Sequence, residues 1–225
     1  MENNNNNNNN DHFHNMCEAC KYNNYDMVVK HYDATLINKS DLFGFYPLLY
    51  ACINGNLDIV KFLLEHGADI HVSDPSKWKP VHLACRKGHL GVLKLLISHG
   101  ADVNEKLNTR DNCLHIATVY SRKDIVKFLV DIGMNVNDKS IANTSCLHFA
   151  CMNGDIDTVK LLVQNNANIY AVTDNNITPM RMAYIYKCDD ICKYLENEIK
   201  KKIYIMSLLV QKDVLKHYII NRMML

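Results

Sequence analysis

"PVHLACRKGHLGVLKLLISHGADVN", Pro80 to Asn104, decides the fold. It holds two short apolar-periodic runs of helical spacing, split by Gly88 and closed by Gly100. Stepping back 33 residues gives "PLLYACINGNLDIVKFLLEHGADIH" from Pro47. Stepping forward gives "CLHIATVYSRKDIVKFLVDIGMNVN" from Cys113, "CLHFACMNGDIDTVKLLVQNNANIY" from Cys146 and "PMRMAYIYKCDDICKYLENEI" from Pro179. A looser copy, "MCEACKYNNYDMVVKHYDATLIN", runs from Met16 to Asn38. A fixed period of this length marks a stack of supersecondary units, each burying its neighbour's apolar face.

The columns of the repeat have physical roles. Ala51, Ala84, Ala117, Ala150 and Ala183 let two helices approach closely, and Leu63, Leu96, Leu129, Leu162 and Leu195 form a core column. Gly67, Gly100 and Gly133 fit left-handed caps of the second helix, with Asn166 as the substitute. Asn112, Ser145 and Thr178 suit N-caps, and Pro47 and Pro80 suit the first helical position. Asp58/Lys61, Asp124/Lys127, Asp157/Lys160 and Asp190/Lys193 are spaced as ion pairs on a solvated outer face.

The pattern resembles the ankyrin repeat. Its "TPLHxA" signature stands here as "YPLLYA", "KPVHLA", "NCLHIA", "SCLHFA" and "TPMRMA", over roughly residues 14–198. The resemblance implies an all-α solenoid of helix-turn-helix units with short β-hairpin tips. It divides the chain into an Asn-rich disordered stretch (1–12), a degenerate capping repeat (13–41) and repeats at 42–74, 75–107, 108–140 and 141–173. A terminal repeat (174–198) and a C-terminal amphipathic helix (199–225) follow. It also implies that His82, His115 and His148 bond neighbouring hairpin backbone, and that Asn104 and Asn137 occupy a position an asparaginyl hydroxylase can modify. The inter-helix glycine (Gly55, Gly88, Gly154) is replaced by Ser121 and Lys187, and Ser121 with Asp124 fits a capping box.

Composition excludes several functions. Lys+Arg is 25 against Asp+Glu 24, which lacks the basic bias of a nucleic-acid binder. The start "MENNNNNNNNDHFH" has no apolar signal-peptide core, and the nine Cys read as reduced thiols inside the cell, in cytoplasm or nucleus. His12, His14, Cys17 and Cys20 offer a zinc set, but Cys20 falls in the core column of Cys52, Cys85 and Cys151. The expectation is therefore no metal, no cofactor and no catalytic residue, since a solenoid rarely gathers distant groups in one pocket. A zinc protein is the minor alternative.

The variable positions carry the functional reading. The repeat frame sets Phe43, Phe45 and Trp78 on tips and Arg86, Lys87 and Tyr120 at inner-helix ends; the resemblance implies that tips and inner helices line one concave groove. Aromatic and Arg residues dominate protein interfaces. The expectation is an adaptor or scaffold that binds one or more proteins there, with Trp78 serving binding; the alternative is that Phe45 packs on the N-terminal cap and Trp78 between adjacent tips. The tail places Ile199, Ile203, Met206, Val210, Val214 and Tyr218 at helical spacing. It is expected to cap the last repeat, with a membrane-associated adaptor using this basic helix as the alternative.

Overall fold

The structure, a computed structural model, describes residues 13–223, with side chains described through residue 210. The Asn-rich stretch 1–12 and His12 lie outside the described residues, as do the side chains of Val214 and Tyr218. Inner and outer helices alternate. The inner set is α1 (13–21), α3 (Pro47–Asn54), α5 (Pro80–Lys87), α7 (Cys113–Val119), α9 (Cys146–Met152) and α11 (Pro179–Ile185). The outer set is α2 (Tyr25–Lys30), α4 (Leu57–Glu65), α6 (Leu90–Ser98), α8 (Lys123–Asp131), α10 (Ile156–Gln164) and α12 (Asp189–Met223). From α3 onward each inner helix packs on the next inner helix and on its own outer partner. The Ala and Leu columns are fully buried in all five copies, so close approach and core filling recur in register.

Each inner helix is entered through a tight tip. A backbone bond closes it from Asp41 N–H to Phe45 O, from Asp74 to Trp78, from Leu107 to Asp111, from Ser140 to Thr144 and from Thr173 to Ile177, all at 2.8–3.1 Å. The fourth residue of each tip is left-handed: Gly44, Lys77, Arg110, Asn143 and Asn176. The expected β-hairpins reduce to these turns. Among the described residues the pairing is an isolated bridge, Lys139 with Ser145, because a closed turn this short leaves no room for a ladder.

Histidine links one repeat to the next. In His82, His115 and His148 the ring Nδ1 accepts the N–H of the residue before the helix, at 3.2–3.4 Å. Nε2 then faces a carbonyl of the following tip segment: Glu105 at 3.1 Å, Asp138 at 3.1 Å and Ile177 at 3.0 Å. An Nε2–H tautomer donates there while Nδ1 accepts. Asn112 caps α7 through its side chain and Thr178 caps α11, whereas the Ser145 hydroxyl turns to the His148 ring.

A second clasp closes over the inner-helix C-termini. Asn54 donates to the carbonyls of Cys20 and Lys21, His89 Nε2 to Ile53 O, Arg122 Nε to Arg86 O, and Asn153 to Thr118 O and Val119 O. This gives the inter-helix glycine a second job beyond its left-handed φ. A Cβ on Gly55 would run into the His89 ring, and one on Gly88 would sit 3.0 Å from the Arg122 side chain. At Ser121, also left-handed at φ 53°, the neighbour's Asn153 donates to the hydroxyl at 3.2 Å, so the side chain belongs to the clasp. The expected Ser121–Asp124 capping box is absent: the N-cap of α8 is Arg122, with no side-chain cap bond.

The outer face also differs from the spacing rule. None of the four expected Asp/Lys pairs closes among the described residues. Lys61 turns to Glu65 one turn on, and Lys123 reaches across to Asp155 and Asp157 of the next repeat, where two carboxylates compete for it. Of the predicted tail stripe, Ile199 packs partly buried against the core, whereas residues 203–210 do not cover the last repeat. No Gly or Pro interrupts residues 189–223, so the last outer helix continues straight into the tail instead of folding back. Ile203, Tyr204, Ile205, Met206, Leu208, Leu209 and Val210 are all exposed, while Ile191 and Leu195 are buried within the last repeat itself.

Two measurements follow. Gly67 has open space around its Cβ direction. Gly67→Ala therefore costs about 1 kcal/mol of left-handed strain alone, whereas Gly55→Ala adds the loss of the His89 clasp and costs about 2–3 kcal/mol. Urea unfolding of the two variants checks this; equal losses would contradict the clasp. Burial pushes His82, His115 and His148 below the ordinary imidazole value. The unfolded chain then takes up protons that the folded chain refuses. This stability is fully present above about pH 6.5 and is lost as pH falls, by about 1.4 kcal/mol per unit for each ring. Stability measured between pH 7.5 and 5 should fall less steeply in His115→Gln; an unchanged slope would contradict the assignment.

Candidate functional site

The tips and the inner helices line one side of the stack, and there three predicted residues meet. Trp78 follows the left-handed Lys77, with its N–H held by Asp74 Oδ1 at 2.9 Å. That anchor turns the half-buried indole onto the core and over the start of α5, edge-on to His82. Arg86, near the end of α5, lays its guanidinium carbon 5.1 Å from the Trp78 ring centroid and 5.2 Å from that of Tyr120, in the next repeat. The carbonyl of Arg86 is clasped by Arg122, which fixes the helix end that carries it. Cation–π contacts of this kind stabilise a planar, fixed orientation. Beside the stack lies a cavity of ≈ 190 Å³ lined by Trp78, Leu107, Ile116, Val119 and Tyr120. Its carboxylate, Asp111, accepts hydroxyl bonds from Thr109 and Ser140, both at 2.5 Å.

Lys87 is exposed next to Arg86 and stands where Asn54 and Asn153 supply clasps in their repeats; it makes none. Tyr120 occupies the same position and is 38% exposed. In these two repeats the position carries an exposed Lys87 and a partly exposed Tyr120 instead of a clasping asparagine.

Phe43 and Phe45 part company. Phe43 is 76% exposed, beside the fully exposed Leu42. Phe45 turns inward and stacks on Tyr50 with ring centroids 5.3 Å apart. The Tyr50 hydroxyl donates to Asp41 Oδ2 at 2.6 Å, while Asp41 Oδ1 accepts the N–H groups of Phe43 and Phe45. Burial, then the Asp41 bond, drives the phenol well above its ordinary range. A cavity of ≈ 510 Å³ opens here between α1 and this tip, lined by Phe13, Cys17, Leu42, Phe43 and Tyr50 with Lys21 and Lys39 among its charged residues. The sequence reading missed this cavity; the apolar tip "DLFGFY" was its signal.

Seven of the nine cysteines are buried core residues, and Cys188 and Cys192 are half-buried. Cys20, Cys52, Cys85 and Cys151 are completely buried, and burial pushes Cys17 up to about 12 and Cys20 higher still, away from the thiolate that a metal requires. Among the described residues no three His, Cys, Asp or Glu side chains converge as ligands. Asn137 spends its side chain on Asn166 O and Asn168 N, while Asn104 turns back to Asp102.

The ankyrin-repeats family model matches three overlapping spans, residues 16–107, 48–140 and 114–205. A curated protein of Schizosaccharomyces pombe (strain 972), "BTB/POZ domain-containing protein 3", is 42% identical over 59 residues, 25% of this chain. The chain spans 11% of that protein's length.

Because Trp78 is half-buried against the core, it supports the stack as well as presenting a surface, contrary to the expectation that a tip residue is structurally idle. Trp78→Ala should cost about 1–2 kcal/mol by denaturant titration. An unchanged midpoint would mean that the ring does not pack as described.

Proposed function

Since the chain belongs to the ankyrin-repeat family, whose repeats generally mediate protein–protein interaction, we propose that it is a non-catalytic adaptor or scaffold that grips a partner protein through the concave face. One observation carries this reading. Trp78, Arg86 and Tyr120 come from a tip and two consecutive inner helices, yet they assemble into one accessible stack. Residues of these types at the centre of a fixed surface are what interfaces concentrate their energy in. Phe43 and Lys87 extend the surface on either side, and Phe45 supports it from beneath. The repeats bounded at 42–74, 75–107, 108–140 and 141–173 supply the scaffold, and no cofactor enters the mechanism. Cytoplasm or nucleus is the proposed setting, from the cysteine content.

A second reading is favoured by the tail. Residues 203–210 are apolar apart from Ser207, exposed on every side of α12, and preceded by Lys200, Lys201 and Lys202. A helix that is apolar all round is built to be covered. No described helix is long and apolar enough to cross a membrane, so the contact would be at a membrane surface. Co-sedimentation with phosphatidylserine vesicles, lost on deleting residues 203–225, supports this reading; equal sedimentation of both chains removes it.

Affinity capture from the native cell lysate tests the main reading. Arg86→Glu should lose a set of proteins that both the wild type and the outer-face variant Lys127→Glu retain. Loss by Lys127→Glu, or indifference to Arg86→Glu, would move the interface off the concave face.

A further inference from the structure

The guanidinium carbon of Arg86 lies 5.1 Å from the Trp78 ring centroid and 5.2 Å from that of Tyr120, and the side chain has no hydrogen-bond or ion-pair partner among the described residues. A guanidinium held by two rings and by no acceptor keeps its N–H donors for a ligand. Its surroundings are unbalanced in charge. Lys77, Lys87 and Arg110 form no ion pair with any described residue, and Lys77 and Arg110 are the left-handed residues of the two tips beside the 190 Å³ cavity. The carboxylates of these tips are fewer than the cations. Asp111, which accepts two hydroxyls, and Asp74, which accepts the Trp78 N–H, stand against Arg86, Lys77, Lys87 and Arg110, while Glu105 pairs with Lys79. The excess of cations favours an external carboxylate.

The second cavity adds a register. It lies between α1 and the tip before α3, while the Arg86 stack spans α5 and α7. Neighbouring helices sit about 8–10 Å apart, so the two subsites are about 16–20 Å apart. An extended chain covers that distance in about five or six residues. Leu42 and Phe43 stand exposed at the rim of the larger cavity, ready to enclose an apolar side chain.

Resting on the reading of the concave face as a protein-binding surface, we propose that its ligand is an extended acidic segment. An Asp or Glu carboxylate sits bidentate on the edge of Arg86, and an apolar side chain about five or six residues away fills the cavity beside Leu42 and Phe43. Lys77, Lys87 and Arg110 favour further acidic residues around the first. A lysine at position 86 would keep the charge but lose the fork and the stacking.

Selection of a phage-displayed library of random linear peptides on the full chain tests this. The expected peptides carry an Asp or Glu and an apolar residue at the stated spacing, and the same selection on folded Arg86→Gln loses the acidic position. The best peptide, synthesised, should bind at least about tenfold more weakly after its own Glu→Gln or Asp→Asn change, and to a similar degree on Arg86→Lys. The peptide change leaves the protein untouched, so the result does not depend on how a variant folds. Groove-binding peptides without an acidic residue, or full rescue by Arg86→Lys, overturn the proposal while leaving a protein-binding groove in place. Peptides that bind Lys127→Glu less well than the wild type but ignore Arg86 overturn both.

Discussion

Everything in this molecule depends on hydrogen bonds that one repeat makes to the next. A buried imidazole accepts from the N–H that opens its own helix and donates to the following tip, so the start of one inner helix and the next tip are held by the same ring. At the other end of the inner helices, Asn54, His89, Arg122 and Asn153 close on the carbonyls of the preceding repeat. Between these two clasps lies a column of alanines with no exposed surface. Stacked repeats draw their stability from such nearest-neighbour terms, and each clasp spends polar groups that would otherwise be buried unpaired.

The same clasps make the surface. Arg122 reaches back to the carbonyl of Arg86 and lies over Gly88, which fixes the last turn of α5. Arg86 then lies within cation–π distance of an indole from its own repeat and a phenol from the next. Where Lys87 and Tyr120 replace the clasping asparagine, the position faces outward. In the proposed binding mode, structure and recognition share the inner-helix ends, where one column holds either a clasping asparagine or an outward-facing side chain.

Much of the architecture was legible because it is periodic. The Ala and Leu columns, the helix starts at Pro47 and Pro80 and the left-handed glycines recur every 33 residues and fall where the period places them. What was not legible depends on contacts across repeats. Nothing in the identity of Lys77 or Arg110 announces a left-handed turn; backbone bonds to Asp74 and Leu107 impose it. Phe45 reads like Phe43 in sequence, but Asp41 turns its tip inward onto Tyr50. Lys123 chose carboxylates in the next repeat, a partner no spacing along one helix can reveal. The tail kept its helical period as expected, yet without a Gly or Pro it had no means of turning back over the last repeat.

The most direct measurement of the central claim is amide hydrogen exchange of the full chain with and without a selected acidic peptide. Binding on the concave face predicts slowed exchange in the tips around Lys77–Lys79 and Arg110–Asn112 and at the ends of α5 and α7, with α6 and α8 unchanged. Protection confined to the outer helices, or to α12, would contradict it.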